Sequence, residues 1–366
     1  MSAIPMVPLE ELMATRLGSV DPSKFVDETF ELYSIPAFDS RKPEVVTGEQ
    51  IGSTKQMVQP RDVLLSKIVP HIRRSWIVGP AGQYRQIASG EWIVFRSDRA
   101  APEYLRHVLL GDDFHTQFMQ TVSGVGGSLL RARPAQVAKI RVPLPQLSEQ
   151  RRIAAILDKA DALRAKRREA LAQLDRLAQS IFVDMFGDPV SNSRGWDQAS
   201  FEQFFLDKTS SCEKLPSSGY QGEGVFPVID QGQAAIAGFC DDESLLAEVA
   251  LPVTLFGDHT RTVKHVNFPF VVGADGAKVL KAVEWVNPRF ASHLLANLPI
   301  PNLGYSRHMK EVKRLTFIVP PRVLQDSFEI RLTALDKVRV KHQRAALSSD
   351  FLSESLQHRA FRGEIR

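Results

Sequence analysis

Apolar residues recur at alternating steps of three and four along residues 148–186. Ile153, Ile156, Ala160, Leu163, Arg167, Ala170, Leu174, Leu177 and Ile181 trace one stripe, interrupted only by Arg167. That is the period of a coiled-coil helix. No Gly or Pro intervenes before Gly187, Ser148 stands as an N-cap behind a Pro-rich lead-in, and Gly187 with Pro189 ends the run. Roughly 39 residues make a rod of about 58 Å, and a rod with one apolar seam needs a partner helix. The partner lies near the C-terminus. In residues 319–361 the same seam resumes as Phe328, Arg331, Leu335, Val338, His342, Ala345, Ser349, Leu352 and Leu356, with more polar members than the first. Arg167 and His342 hold the middle positions, where a polar layer would fix register at a cost in stability.

The two helical stretches belong to an internal repeat of about half the chain. Val142, Pro143 and Leu147 match Val319, Pro320 and Leu324 at constant offset, and Gly127 and Gly304 keep that offset. "YLRHVLLGD" in the first half resembles "FASHLLANL" in the second. Between the helices, short β-branched and aromatic runs alternate with Gly, Pro and Asp, without clean βαβ order. The predicted fold is α+β: two mixed α/β domains joined by two long coiled-coil helices, within an internal repeat. The predicted boundaries are residues 1–145, 146–188, 189–318 and 319–366. Residues 256–276 find no close counterpart in the first half, so a shared scaffold carries two unlike globular parts.

Composition narrows the class. Of 366 residues, 43% are hydrophobic and 24% charged, ordinary for a globular protein. The net charge of +4 is compatible with DNA and weak evidence for it. Cys212 and Cys240 lack partners at metal-ligand spacing and read as reduced thiols. The N-terminus lacks a charged segment followed by an apolar run, and no uninterrupted apolar stretch approaches the ~20 residues of a membrane span, so a cytoplasmic protein is expected.

Catalytic chemistry leaves no mark. "GVGGSLL" lacks the Lys of a phosphate loop. "NFPF" at 267–270 lacks the first Pro of the Asn-Pro-Pro-aromatic motif of amino-methylating enzymes, and Asp275 with Lys278 is too common a pairing to signal a nuclease. Binding features are clearer. Lys67, His71, Arg73 and Arg74 stand beside Trp76, and a later Gly-rich loop carries Gly127, Ser128, Arg131 and Arg133. The second half carries His259, Thr260, Arg261, Lys264 and His265, then Gly304, Tyr305, Ser306, Arg307, His308 and Lys310. Arg and Lys neutralise phosphates, Arg, Ser and Thr also reach base edges, and glycine amides approach phosphates closely. Any one of these side chains could equally be part of a solvated face; a Gly-then-basic loop at matching places in both halves favours DNA.

The order of parts, together with "LPQLSEQRRIAAILDKADALRAKRREALAQLDRLAQSIFVDMFGDP", "GDHTRTVKHVNFPFVVGADGAKVL", "LGYSRHMKEV" and "SLQHRAFRGEI", resembles the specificity subunit of type I restriction-modification enzymes. The resemblance implies two target-recognition domains, each binding one half of a split, asymmetric double-stranded DNA site. It also implies antiparallel spacer helices and no catalytic activity. Its implied partners are two methyltransferase subunits and ATP-dependent restriction subunits. S-adenosylmethionine and ATP would then belong to those partners, and this chain would bind no cofactor or metal. The alternative is a coiled-coil assembly protein whose globular parts bind other proteins.

Overall fold

The computed structural model describes residues 4–124, 130–274, 276–304 and 306–364. It contains two long helices, Leu147–Phe186 and Arg322–Phe361, of 40 residues each. The chain divides into two compact units, and the division falls inside both helices: unit 1 is 1–168 with 344–366, and unit 2 is 169–343.

In unit 1 the strand Val63–Ser66 is the centre of an antiparallel sheet, flanked by Ser75–Ile77 and Trp92–Phe95. A second sheet runs in the order Ser19–Val20, Lys55–Met57, Arg85–Ala88, Thr29–Tyr33, Glu44–Thr47, with Thr29–Tyr33 parallel to Arg85–Ala88. The helix Pro102–Leu110 packs on the first sheet, and Arg141–Pro143 pairs back with Met6–Pro8 before the long helix begins. The main core joins Leu65, Phe95, Tyr104, Val108 and Phe118 to Ile153 and Leu157 of the long helix.

Unit 2 repeats this plan. Val253–Gly257 is flanked by Val263–Val266 and Ala277–Ala282, and Phe205–Asp207 is added outside. Phe226–Ile229 lies parallel to Val271–Gly273 in the second sheet and antiparallel to Gly238–Cys240. The helix Pro288–Asn297 covers the first sheet, and Phe317–Val319 pairs back with Asp197–Ala199. Residues 256–276 therefore do have a counterpart, the hairpin Val63–Ser66/Ser75–Ile77 and the strand Arg85–Ala88. The match is invisible in sequence because a strand asks only for alternation and branched or aromatic bulk, which many sequences supply.

Within each unit the two half-helices are antiparallel. In unit 1, Arg164 meets Asp350 at 2.5 Å and the Arg167 guanidinium donates to the Ala345 carbonyl. In unit 2, Asp175 meets Arg339 at 2.6 Å, and Phe182 and Phe186 both touch Phe328. The inward line of buried and half-buried residues steps through Gln150, Ile153, Leu157, Ala160, Arg164 and Arg167, then Leu171, Leu174, Ala178, Ile181 and Met185, with Phe182 and Phe186 fully buried beside its end. On the second helix it follows Gln325, Phe328, Leu332, Leu335, Arg339 and His342, then Ala346, Ser349, Ser353, Leu356 and Ala360.

The seam expected from sequence is thus one residue out of step at alternate positions. Leu157 (2% exposed) takes the place of Ile156, and Arg164, Ala178, Arg339 and Ser353 take those of Leu163, Leu177, Val338 and Leu352. Those last four are 54%, 44%, 41% and 58% exposed. The reason is the cross-helix ion pairs: Arg164 and Arg339 lay their aliphatic stems in the interface while their guanidinium groups reach a carboxylate on the opposite helix. Ala and Ser at the remaining places let the backbones approach.

Two glutamines hold the start of the long helices. Gln150 is fully buried; its Oε1 accepts from the Ala101 N–H at 2.8 Å and its Nε2 donates to the carbonyls of Arg99 and Pro145. Gln325 does the same in unit 2, accepting from the Asn287 N–H at 2.8 Å and donating to the Pro320 carbonyl at 2.8 Å. Each tethers a long helix to the N-terminus of the helix that covers the sheet. Replacing Gln325 by Ala strands a buried donor and a buried acceptor, and is expected to cost about 2–4 kcal/mol. A urea midpoint measures this, with Val323→Ala at a position 78% exposed as the silent comparison. Equal midpoints for the two variants would show that the amide is dispensable.

Candidate nucleic-acid interface

The hairpin tip of the first sheet carries the first basic cluster in each unit, and the loop leaving the covering helix carries the second. The fold brings the two together. In unit 1 the Val69 N–H donates to the Leu130 carbonyl at 3.1 Å and the Ala132 N–H to the Lys67 carbonyl at 2.8 Å. Ile68 bridges Arg131. In unit 2 the junction is made by Asp258, which is 2% exposed. Its carbonyl accepts from the His308 N–H and Nδ1, both at 2.8 Å, and its Oδ1 accepts from the Met309 N–H at 2.6 Å. Lys278 Nζ lies 3.9 Å from Oδ2.

Both tips contain a residue other than glycine in the left-handed region, Val69 at φ 49° and Arg261 at φ 62°. Such conformations cost about 1–3 kcal/mol and persist where the surroundings enforce them. At Gly257 a Cβ would lie 2.2 Å from Thr260 Oγ1, so only glycine permits this turn.

The predicted residues meet different fates. In unit 1, His71 and Arg133 are exposed and Lys67 is half-buried. Arg131 pairs with Glu91 at 3.2 Å, and Arg73 pairs with Asp112 at 2.5 Å and donates to the Leu110 carbonyl. Arg74 is largely buried, with Nε 3.5 Å from Asp39 Oδ1. In unit 2, His308 is fully buried, its Nε2 accepting from the Leu303 N–H at 3.2 Å. Lys264 donates to the carbonyls of Asp230 (2.8 Å) and Ala234 (2.6 Å) and lies 3.7 Å from the Asp230 carboxylate. Burial holds its ammonium below the usual lysine range. Thr260 Oγ1 donates to the Gln231 carbonyl at 2.5 Å, the His259 N–H to Gln231 Oε1 at 3.1 Å, and Arg261 Nη1 to the Ile300 carbonyl at 3.0 Å. Ser306, Arg307 and Lys310 are exposed, as is Gly304 at φ 68°. Gly127, Ser128 and Tyr305 lie outside the described residues.

Sequence reasoning missed Asp258, Glu91 and Gln231, which position these loops. Asp258 sits beside the singled-out His259 and had a signal: an acidic residue inside a basic run. The other two had none. Among the described residues no group of side chains is arranged to hold a metal ion, and no helix is long and apolar enough to cross a membrane. Cys212 and Cys240 are buried and free.

Each unit joins two sheets to part of a long helix and gathers its basic loops at one junction. Residues 87–174 match the type I restriction modification DNA specificity domain. No curated protein matches the chain. A solved chain from a study of complex assembly and conformational transition of the type I R-M system aligns at TM-score 0.59, with 20% identity over 99% of this chain and 98% of its own. The S subunit of a type I restriction-modification system from M. genitalium aligns at TM-score 0.61, with 12% identity over 98% and 96%. The HsdS subunit from Thermoanaerobacter tengcongensis aligns at TM-score 0.45, with 21% identity over 99% and 97%; the fold likeness rests on the first two. Residues 87–174 are thus similar to that DNA specificity domain, and the fold of the chain is like that of the two solved chains aligned at TM-score 0.59 and 0.61.

Proposed function

We propose that each unit reads one half of a split DNA site, that the long helices set the spacing, and that the chain itself catalyses nothing. The observation that carries this is the repeated scaffold: two sheets with the same central strands, a covering helix and a loop junction occur twice, with different side chains at the junction. Two copies of one scaffold also offer two similar surfaces to two identical methyltransferase subunits. Apolar side chains left outside the helix seam suit that docking: Leu347, Phe351 and Leu352 in unit 1, and Val323, Ile330 and Val338 in unit 2. S-adenosylmethionine and ATP would act in the methyltransferase and restriction subunits, in the cytoplasm. The proposed domains run 1–145, 146–188, 189–318 and 319–366.

Co-expression with the methyltransferase encoded beside it, in a host lacking adenine methylation, tests this. Mapping N6-methyladenine should yield a motif of two short unequal halves with a fixed gap. Exchanging residues 189–318 for those of another specificity subunit should change one half only. A stable complex that methylates no split motif would overturn the reading.

A further inference from the structure

The hairpin loop between Phe226–Ile229 and Gly238–Cys240 is built unlike its surroundings. Its supports are the residues that looked like phosphate binders. The Lys264 ammonium holds the Asp230 and Ala234 carbonyls from one side, and Thr260 and His259 bind Gln231 from another. What these supports present is uncharged: Gln233, Ala234, Ala235 and Ile236 are all exposed, Ile236 by 41%. Gln233 Nε2 is steadied by Thr262 Oγ1 at 3.1 Å, which leaves its amide oxygen and second N–H to other partners. The exposed cations Arg307 and Lys310 stand in the exit loop and in the short helix Met309–Val312 that follows it, joined to the same hairpin tip through Asp258 and His308.

The connection at the same place in unit 1, between Thr29–Tyr33 and Glu44–Thr47, contains the short helix Ile35–Asp39. It too meets the neighbouring hairpin loop, through Arg74 and Asp39. Its exposed tip instead carries Arg41 and Lys42. One position in a common scaffold therefore holds exposed cations in unit 1 and a carboxamide with apolar neighbours in unit 2.

Resting on the reading of unit 2 as a DNA half-site reader, we infer that residues 230–237 are its base-reading loop and that they read an A·T-containing step in the major groove. Phosphates select cations, whereas a carboxamide flanked by methyl groups suits bases. Gln pairs bidentately with adenine N6 and N7, and Ala or a larger apolar side chain packs on the thymine methyl. Gln233 is the hydrogen-bonding residue, and Ala235 and Ile236 are the apolar contacts. Lys264 and Asp258 are positioning residues.

The test uses the full chain in complex with its methyltransferase and a duplex pool randomised over the site, with bound DNA sequenced at several salt concentrations. Gln233→Ala and Ile236→Ser should each lower discrimination at one A·T position of one half-site by about 5- to 150-fold. Arg307→Ala should weaken all sequences alike and lower the magnitude of the salt slope by about 1. A wild-type complex that discriminates, with Gln233→Ala and Ile236→Ser both preserving the preference, overturns the loop assignment alone. A wild-type complex without sequence preference overturns the half-site reading and the loop together. Loss of preference at a G·C pair overturns the A·T assignment.

Discussion

Truncating Phe328 to Ala is expected to destabilise unit 2 by about 3–5 kcal/mol. Phe328 is fully buried on the second long helix. Its ring centroid lies 5.6 Å from that of Phe182, 5.4 Å from Phe186 and 5.1 Å from His293, in edge-on geometries. The ring thus clamps the end of one long helix to the start of the other and to the covering helix Pro288–Asn297. Its removal loses the transfer free energy of the ring and leaves a cavity that three ring systems cannot easily close. Urea denaturation reads the effect, and hydrogen exchange should show Ala178–Phe186 amides opening together. Phe351→Ala provides the contrast: the same side chain on the same helix is 73% exposed, and its loss should stay within about 0.5 kcal/mol. Equal costs for the two would mean that the aromatic cluster does not clamp the helices.

Acidification is expected to weaken unit 2 by a similar amount. Burial, and secondarily the Arg289 guanidinium, pushes the imidazoles of His265 and His293 down to about 4. His293 lies 5.1 Å from both Phe182 and Phe328, and its Nε2 is buried without a hydrogen-bond partner among the described residues. Both histidines are held neutral in the folded chain, whereas unfolded they would take a proton near pH 6.5. The unfolded state then binds more protons as pH falls, so their contribution is intact above about pH 6.5 and drains away toward pH 4. By pH 4.5 the two together remove about 5 kcal/mol. Denaturant midpoints at pH 7 and 4.5 measure it. His293→Phe keeps the aromatic packing and should remove about half of the pH dependence. A variant as acid-sensitive as the wild type would place the titration elsewhere.

Parts of this architecture were readable without coordinates because they depend on local rules. A long helix needs only good helix formers, a seam and stop signals, all present in 148–186. The repeat showed in the Pro-rich lead-ins, and of the expected basic loops Arg131 and His308 lie at the junctions. The phase of the seam was not readable. Leu163 and Leu177 are better apolar residues than Arg164 and Ala178, and only Asp350, across the helix pair in unit 1, explains why Arg164 turns inward.

The basic clusters make the same point about function. Charge can be read along a chain, but pairing cannot. Lys264, His308 and Arg131 are all cations or proton acceptors in sequence. In the folded chain, one holds two carbonyls, one is buried under Asp258, and one faces Glu91. Each partner lies 30 to 50 residues away in sequence. The exposed stretch 233–236 carried no signal at all, because Gln-Ala-Ala-Ile is unremarkable until the supports beneath it are seen.

By itself, then, the sequence determined the helices and the repeat, since these follow from period and motif. The tertiary structure decided which face of each helix is buried, that both units share one two-sheet plan, and which side chains remain available to a ligand. Those outcomes depend on contacts between residues far apart in the chain, and no local pattern encodes a hydrogen-bond partner.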